Sequence, residues 1–141
     1  MSKRYLIENV QIINENEIFK GSVLTDGQFI AKVSKQGICD KVATIIDGKG
    51  KYLIPGVIDD QVHFREPGFC AKADIASESK AAVAGGVTSY MEMPNTSPQT
   101  TTQERINDKH RIARESSLAN FSFYIGATNH NIDEIVKSDP K

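Results

Sequence analysis

The sequence predicts an α/β fold preceded by a small all-β module, and three features of the chain lead to this prediction. Residues 57–138 alternate a strand-like run with a helix-like run three times, a pattern typical of βαβ units around a parallel sheet. Residues 1–54 instead hold short β-branched runs separated by turn signals. The apolar run around Pro55 then leads into a row of ionisable side chains, as a barrel strand does where it faces a ligand.

The N-terminal module is predicted from its turns. Tyr5–Ile13 is rich in β-branched and aromatic residues and is expected to be a strand that bends near Glu8-Asn9. Asp26-Gly27 separates two further strand-like runs, and Asp-Gly favours a hairpin because the turn needs positive φ. A second hairpin-like connection is expected at Asp47–Gly50. Nothing in this module has a catalytic pattern.

The second part of the chain is predicted to hold three βα units. Strands are expected at 57–64, 87–93 and 120–127, and helices at 72–84, from about 101 to 117, and from 131 onward. Gly85-Gly86 suits the end of the first helix, and Thr101 with Glu104 matches a capping box for the second. Three units leave open sheet edges, whereas a (β/α)₈ barrel needs about 250 residues. Spacing alone therefore leaves a small three-unit protein and the front of a barrel as alternatives, and slightly favours the first.

Composition excludes several classes of partner. The 141 residues include 17 basic and 18 acidic side chains and no basic cluster, which argues against nucleic acid. No apolar run approaches the roughly 20 residues needed to span a bilayer, and the N-terminus does not resemble a secretory signal. Cys39 and Cys70 have no metal-type spacing and are expected to be free thiols of a cytosolic protein.

The strand predicted at 57–64 carries the densest chemistry. Side chains alternate faces along a strand, so Asp59, Gln61, His63 and Arg65 are expected to share one face. Imidazole is a common zinc ligand, but one histidine cannot form a site. The guanidinium of Arg65 offers a fork of donors suited to a carboxylate or phosphate. Alternatively, Arg65 forms a salt bridge to Glu66 or is a surface charge.

Four further polar residues are candidates for a site. Asn95, which follows a Met-Pro pair, is expected either to cap a turn or to hold a ligand. His110 lies within a helix and is expected to be solvated, and nothing supports a ligand role for His130. Cys70 has no paired base, so a nucleophile is not expected there.

Three motifs in order resemble the dihydroorotases of the metal-dependent amidohydrolase superfamily. They lie at residues 54–68, 81–89 and 93–96. The resemblance covers essentially the whole chain and implies a (β/α)₈ barrel with a small β-sandwich built from both chain ends. Residues 1–54 would then be the N-terminal portion of the sandwich, and residues 55–141 would be the first βα units of an incomplete barrel.

The resemblance also implies roles for single residues. His63 matches the second of two metal-binding histidines, and Gln61 stands where the first is expected. Zn²⁺, one or two per full-length subunit, is the implied cofactor. Arg65 matches the position that binds the substrate α-carboxylate, and Asn95 matches a second carboxylate-binding position. Arg65 favours a dihydroorotase over the related allantoinases and hydantoinases. The remaining metal ligands and the general base are expected from later strands, so no catalytic residue is assigned within these residues.

The activity implied by the resemblance is the interconversion of N-carbamoyl-L-aspartate and L-dihydroorotate in pyrimidine synthesis. The expected partner is this small-molecule substrate, without nucleic acid or membrane, in a cytoplasmic homodimer. The 141 residues alone are expected to be an incomplete, inactive fragment. One alternative is another cyclic-amide hydrolase, such as an allantoinase or hydantoinase. The other is a non-catalytic scaffold, a hypothesis motivated by Gln61.

Overall fold

A computed structural model describes residues 2–138 of the chain. The chain divides into two compact units, Met1–Pro55 and Gly56–Lys141. The first unit holds the strands β1 (Arg4–Asn14), β2 (Glu17–Asp26), β3 (Phe29–Ser34), β4 (Thr44–Asp47) and β5 (Tyr52–Leu53). The second holds β6 (Val57–Val62), α1 (Ile75–Ala84), β7 (Val87–Glu92), α2 (Gln103–Ser116), β8 (Asn120–Phe123) and α3 (Ile132–Lys137). Among these described elements, no helix is long and apolar enough to cross a membrane.

The first unit is one mixed sheet with the order β3-β2-β1-β4, in which β5 also pairs with β1. The hairpin predicted at Asp26-Gly27 is confirmed, since β2 and β3 are antiparallel and Gly27 has a φ of 58°. A second hairpin, between β1 and β2, was not predicted. It turns through Glu15 and Asn16, whose φ values are 49° and 64°. Val10, Ile12 and Val23 form the buried core of this sheet.

The prediction of a hairpin at Asp47–Gly50 is wrong. The strands on either side of it, β4 and β5, both pair in parallel with β1 rather than with each other. The reason is the bend in β1, which is confirmed at Asn9 by a φ of 56° and a register shift. Asn9 Nδ2 donates to Asp47 Oδ1 at 3.0 Å, and Gly48 N–H donates to the Glu8 carbonyl at 2.8 Å. The segment between β4 and β5 therefore follows the bulge along one edge of β1.

The second unit is a parallel sheet with the order β6-β7-β8. Helices α1 and α2 pack on one face, where Ile75 and Ala113 join Phe64, Tyr90, Ala119 and Phe123 in a buried core. Val62 packs against the same core. The pairing of β6 with β7 is irregular between Asp59 and Val62, and β6 ends at Val62, so the single shared face expected for Asp59, Gln61, His63 and Arg65 stays a prediction. The strands are parallel, so their carboxyl ends share one edge of the sheet.

Element boundaries differ from the predicted ones by one to four residues. Helix α1 begins at Ile75, because Asp74 is its N-cap and its side chain accepts from Ser77 N–H at 2.7 Å. The N-cap of α2 is Thr102, not Thr101, and its hydroxyl accepts from Arg105 N–H at 3.3 Å. Strand β6 ends at Val62 and β8 at Phe123, which leaves longer loops at the carboxyl edge of the sheet than predicted.

The expectation that His110 is solvated is wrong. Its ring packs against Phe121 and Phe123, with centroid separations of 5.7 and 5.0 Å. Burial, and then the charge of Arg114, lower the pKa of His110 below its usual value. The residue therefore belongs to the packing of α2 on β8.

Candidate functional site

The loops after β6 and β7 bring His63 and Asn95 together. His63 Nδ1 lies 2.9 Å from Asn95 Oδ1. Because an amide oxygen only accepts, Nδ1 carries the proton in this contact, and Nε2 is left available as an acceptor or metal ligand. Both side chains are exposed. Two residues singled out from separate motifs thus form one polar group at the carboxyl edge of the sheet.

Arg65 follows His63 in the same loop and has a φ of 71°, uncommon for a residue other than glycine. Its guanidinium forms no ion pair within residues 2–138. The alternative salt bridge to Glu66 is absent within these residues, and Glu66 Oε2 accepts from Ile75 N–H at 2.9 Å. Arg65 lines an open depression together with Gly68, Phe69, Ala71 and Lys72. Two cationic side chains around this depression favour an anionic group.

Asn95 lines a different depression from Arg65. Its neighbours there are Pro94, Gln99, Thr101, Gly126 and Ala127. The structure thus joins Asn95 to His63 but leaves Arg65 on an adjoining surface. His130 is exposed on the loop after β8, where its N–H donates to Thr128 Oγ1 at 3.2 Å. Cys70 is an exposed free thiol.

The described residues do not complete a metal centre. His63 offers one imidazole nitrogen, and Gln61 offers an exposed amide. Residues 2–138 contain no group of three or more histidine, cysteine, aspartate or glutamate side chains close enough to hold a metal ion. A catalytic zinc site takes three protein ligands. These residues would therefore contribute to such a centre without forming it.

The two loops of the site touch at Gly68. Gly68 has a φ of 92°, and a Cβ at this position would overlap the carbonyl oxygen of Ser97. Ser97 N–H also donates to the Pro67 carbonyl at 3.1 Å. The loop that carries Arg65 is thereby held against the loop that carries Asn95.

We expect Gly68→Ala to destabilise the protein more than Gly86→Ala, as measured by urea denaturation. Both glycines have a φ of 92°, but nothing lies within 4 Å of a Cβ built on Gly86. The Gly86→Ala change should therefore cost only the backbone strain, about 1–2 kcal/mol. Gly68→Ala adds the clash with Ser97 to the same strain. Equal losses in the two variants would contradict the loop contact.

A buried ion pair lies between the two loops and the helix layer. Lys109 Nζ on α2 is 2.8 Å from Glu92 Oε2 at the end of β7, and each side chain is only 1% exposed. Lys109 Nζ also donates to the Met93 carbonyl at 3.3 Å and lies 5.1 Å from the centre of the Phe123 ring. Burial raises the pKa of Glu92 and lowers the pKa of Lys109, and the attraction between the two groups opposes both changes.

The sequence patterns did not lead to a prediction of this ion pair, because a lysine in a polar helix is usually solvated. The signal was present in the spacing. Lys109 lies three residues after Ile106 and four before Ala113, on one helical stripe. Glu92 lies two residues after Tyr90, on the same face of β7, and Tyr90 is only 1% exposed.

The chain is similar in sequence to one protein-family model and to several known proteins. A family model described as dihydro-orotase-like matches residues 50–137. The dihydroorotase of Carboxydothermus hydrogenoformans is 47% identical over 90 residues, which are 64% of this chain and 21% of that protein. The dihydroorotase of Bacillus subtilis is 37% identical over 131 residues, covering 92% of this chain and 30% of the relative. The allantoinase of Deinococcus radiodurans is 38% identical over 110 residues, covering 77% and 24%.

Solved structures extend the likeness to the fold. An L-hydantoinase (dihydropyrimidinase) from Arthrobacter aurescens superposes with a TM-score of 0.87 and 28% identity, covering 96% of this chain and 30% of that one. A dihydropyrimidinase from Brevibacillus agri gives a TM-score of 0.79 at 26% identity. These likenesses confirm the predicted fold class, the front part of an amidohydrolase-type (β/α)₈ barrel preceded by a β module. The chain spans between a fifth and a third of the length of the relatives it matches.

Proposed function

We propose that this chain, which belongs to the dihydroorotase-like family, is the front part of a cyclic-amide hydrolase that interconverts N-carbamoyl-L-aspartate and L-dihydroorotate. The observation that favours this substrate is Arg65. Its guanidinium forms no ion pair within the described residues and lies in the loop that also carries His63. L-dihydroorotate bears a carboxylate, whereas hydantoin and allantoin do not.

The described residues bind and orient the substrate in this proposal. Arg65 donates two parallel hydrogen bonds to the substrate carboxylate, and Asn95 contacts it from the neighbouring loop. Holding the dihydroorotate ring in this way lowers the activation barrier for hydrolysis of its amide through proximity and orientation. In the hydrolytic direction, water adds to the ring amide carbonyl and the C–N bond breaks. The ring nitrogen leaves as the ureido NH2 after taking a proton from the water, the second proton is released from the new carboxyl group, and the single product is N-carbamoyl-L-aspartate.

Zinc is proposed as the cofactor of the full-length protein, one or two ions per subunit, with His63 as one ligand through Nε2. Bound zinc lowers the pKa of its water to about 7 and polarises carbonyl groups. Gln61 stands where the resemblance implies a second histidine, and an amide oxygen is a weaker zinc ligand than imidazole. The other ligands and the general base belong to later parts of the barrel.

We expect Gln61→His to raise the zinc content of the full-length protein, measured by elemental analysis after dialysis. The new imidazole would lie on the strand face predicted for His63, two residues away. Asp60→His is the matched control, because it adds an imidazole at the neighbouring residue of β6 rather than at the position that the resemblance implies for a metal ligand. An equal rise in both variants, or none in Gln61→His, would contradict a metal site at this strand end.

Turnover of candidate substrates by the full-length protein tests the proposed function. We expect hydrolysis of L-dihydroorotate and its formation from N-carbamoyl-L-aspartate, with little turnover of hydantoin or allantoin. Hydrolysis of hydantoin or allantoin without turnover of dihydroorotate would make this protein one of the other cyclic-amide hydrolases. No hydrolysis together with no bound zinc would support the scaffold alternative.

The proposal extends to the organisation of the protein. Residues 1–54 form the N-terminal portion of a small β-sandwich, and residues 55–141 form the first βα units of the barrel. The active species is a longer, cytoplasmic protein that forms a homodimer and binds neither nucleic acid nor membrane. The 141 residues alone are inactive in this proposal, because within residues 2–138 no group of three metal-ligating side chains lies together.

A further inference from the structure

The side chain of Asn131 joins the loop after β8 to the loop after β7. Its Nδ2 group donates to the Gly126 carbonyl at 2.8 Å and to the Thr101 carbonyl at 2.9 Å. Its Oδ1 atom accepts from the Thr128 N–H at 2.7 Å and from the Thr128 hydroxyl at 2.9 Å. A carboxamide has two N–H donors and two lone pairs on its oxygen. Asn131 therefore uses every donor and acceptor that its side chain has.

The start of α3 does not account for this use of Asn131. Asparagine is favoured before a helix because its oxygen accepts from an N–H group of the first helical turn. Asn131 occupies that position of α3, yet its side chain forms no such hydrogen bond with the described residues. None of the six residues of α3 is buried. The carboxamide is instead directed to the two loops that precede the helix.

The two carbonyls that accept from Asn131 belong to the surroundings of Asn95. Thr101 and Gly126 both line the depression that contains Asn95. Gly126 also lies close to the loop after β7, since a Cβ built on this glycine would be 3.2 Å from Pro94 Cβ. Pro94 is the residue before Asn95 in the chain. The hydrogen bonds of Asn131 thus act directly beside a residue of the candidate site.

The loop after β7 is held by hydrogen bonds of its own. The N–H groups of Thr96 and Thr100 both donate to the Pro94 carbonyl at 2.9 Å. The hydroxyl groups of these two threonines lie 3.2 Å apart, and the residues are only 4% and 1% exposed. The Gly126 N–H donates to the Thr100 carbonyl at 2.7 Å. The two loops are therefore coupled at the position of Asn95.

We propose that Asn131 is a positioning residue for substrate binding. It holds the loop after β8 against the loop after β7, and so it keeps Asn95 at the place where its Oδ1 atom lies 2.9 Å from His63 Nδ1. An aspartate at position 131 could accept from Thr128 but could not donate to the two carbonyls, so the link between the loops needs the amide. This inference rests on the proposed function, in which Asn95 contacts the substrate carboxylate.

Variants of the full-length protein that separate the donors of Asn131 from its acceptor test the inference. Asn131→Asp keeps the acceptor but removes both donors, whereas Thr128→Val removes one group that donates to Asn131 and leaves both donors in place. We expect Asn131→Asp to raise the KM for L-dihydroorotate by about 10- to 100-fold, with a smaller change in kcat. Thr128→Val should leave KM nearly unchanged. Asn129→Asp, at an exposed asparagine of the same loop, is the matched control for the added charge and should also leave KM nearly unchanged.

The ring ¹⁵N resonances of His63 give a second readout, which does not depend on the substrate. They report the contact with Asn95 and should shift in Asn131→Asp. They should also shift in Asn131→Ala, which removes the donors without adding a charge. The same resonances should be unchanged in Asn129→Asp.

Unchanged His63 resonances in both Asn131 variants would overturn the inference, whichever compound the protein hydrolyses. An equal rise in KM in Thr128→Val and Asn131→Asp would also overturn it, because the loss would then follow the turn within one loop and not the link between two loops. Failure of the unaltered protein to turn over dihydroorotate would instead overturn the proposed function. In that case the His63 resonances alone decide whether Asn131 positions Asn95.

Discussion

Replacing Arg65 by methionine in the full-length protein should raise the KM for L-dihydroorotate far more than it lowers kcat. The change removes the fork of donors that we propose for the substrate carboxylate, while Met and Arg side chains share an unbranched aliphatic stem. Removing one partner of a buried, hydrogen-bonded charge pair costs about 2–5 kcal/mol. The kcat/KM for dihydroorotate should fall by a corresponding amount, measured by steady-state kinetics in both reaction directions.

Lys72→Met is the control for the loss of a cation, because Lys72 lines the same depression as Arg65 and should contribute only a weak, salt-dependent attraction. Arg65→Lys should recover little of the loss, since an ammonium cannot form two parallel hydrogen bonds. A cyclic amide that lacks the carboxylate gives a second comparison, because its slow turnover should be nearly the same with and without Arg65. An unchanged KM in the Arg65→Met protein would contradict the assignment of this residue.

Lys109→Met alone should destabilise the protein by about 3–5 kcal/mol, because it leaves a buried carboxylate without its cation. Glu92 and Lys109 are each only 1% exposed, so water cannot replace the lost partner without opening the core. The double change Glu92→Leu/Lys109→Met should be close to the unaltered protein in stability. Urea denaturation of the three proteins measures both differences, and equal losses in the single and double variants would contradict the buried pair.

We expect the stability of the Lys109→Met variant, relative to the unaltered protein, to fall as the pH rises. Burial raises the pKa of Glu92 in the folded protein, and removing Lys109 removes the main group that opposes this rise. The folded variant then binds a proton more tightly than the unfolded chain does, so its stability is greatest below the unfolded pKa of about 4.3. The stability that the protonated Glu92 contributes should be lost as the pH rises through the pKa of Glu92 in the folded variant. The difference from the unaltered protein should therefore be smaller at pH 5 than at pH 7.5.

Local sequence signals predicted most elements of the second unit, because β-branched runs, helix caps and glycines mark its strands and helices along the chain. Val62 and Phe64 pack against the helices as the predicted alternation requires, whereas the irregular pairing between Asp59 and Val62 is a departure from period two that the residue pattern does not reveal. The cap of α2 was wrong by one residue, because three consecutive threonines each offer the same hydroxyl. Thr102 is selected by the backbone path of the preceding loop.

Pairing between distant segments was beyond local signals. The glycines of Asp47–Gly50 suit a hairpin as well as a crossover that follows a bulge, and the contacts of this segment with Glu8 and Asn9 distinguish the two. Within the site, residue type identified His63, Arg65 and Asn95 as candidates, and the loop geometry supplied the contact between His63 and Asn95. Lys109 was overlooked because a lysine in a mostly polar helix suggests a solvated cation, although its helical stripe with Ile106 and Ala113 indicates a position that faces the core.

The arrangement of strands around β1 implies an order of folding for the first unit. Strands β1, β2 and β3 are neighbours in the chain and are joined by two tight turns, and hairpins of this kind form in about 1–10 μs. Strand β4 pairs with β1 across a much longer separation, with Thr44 opposite Tyr5, so its loop-closure entropy must be overcome first. We expect the three-stranded meander to form early. Strand β4 and then β5 would add to the free edge of β1, where the bulge at Asn9 sets their register.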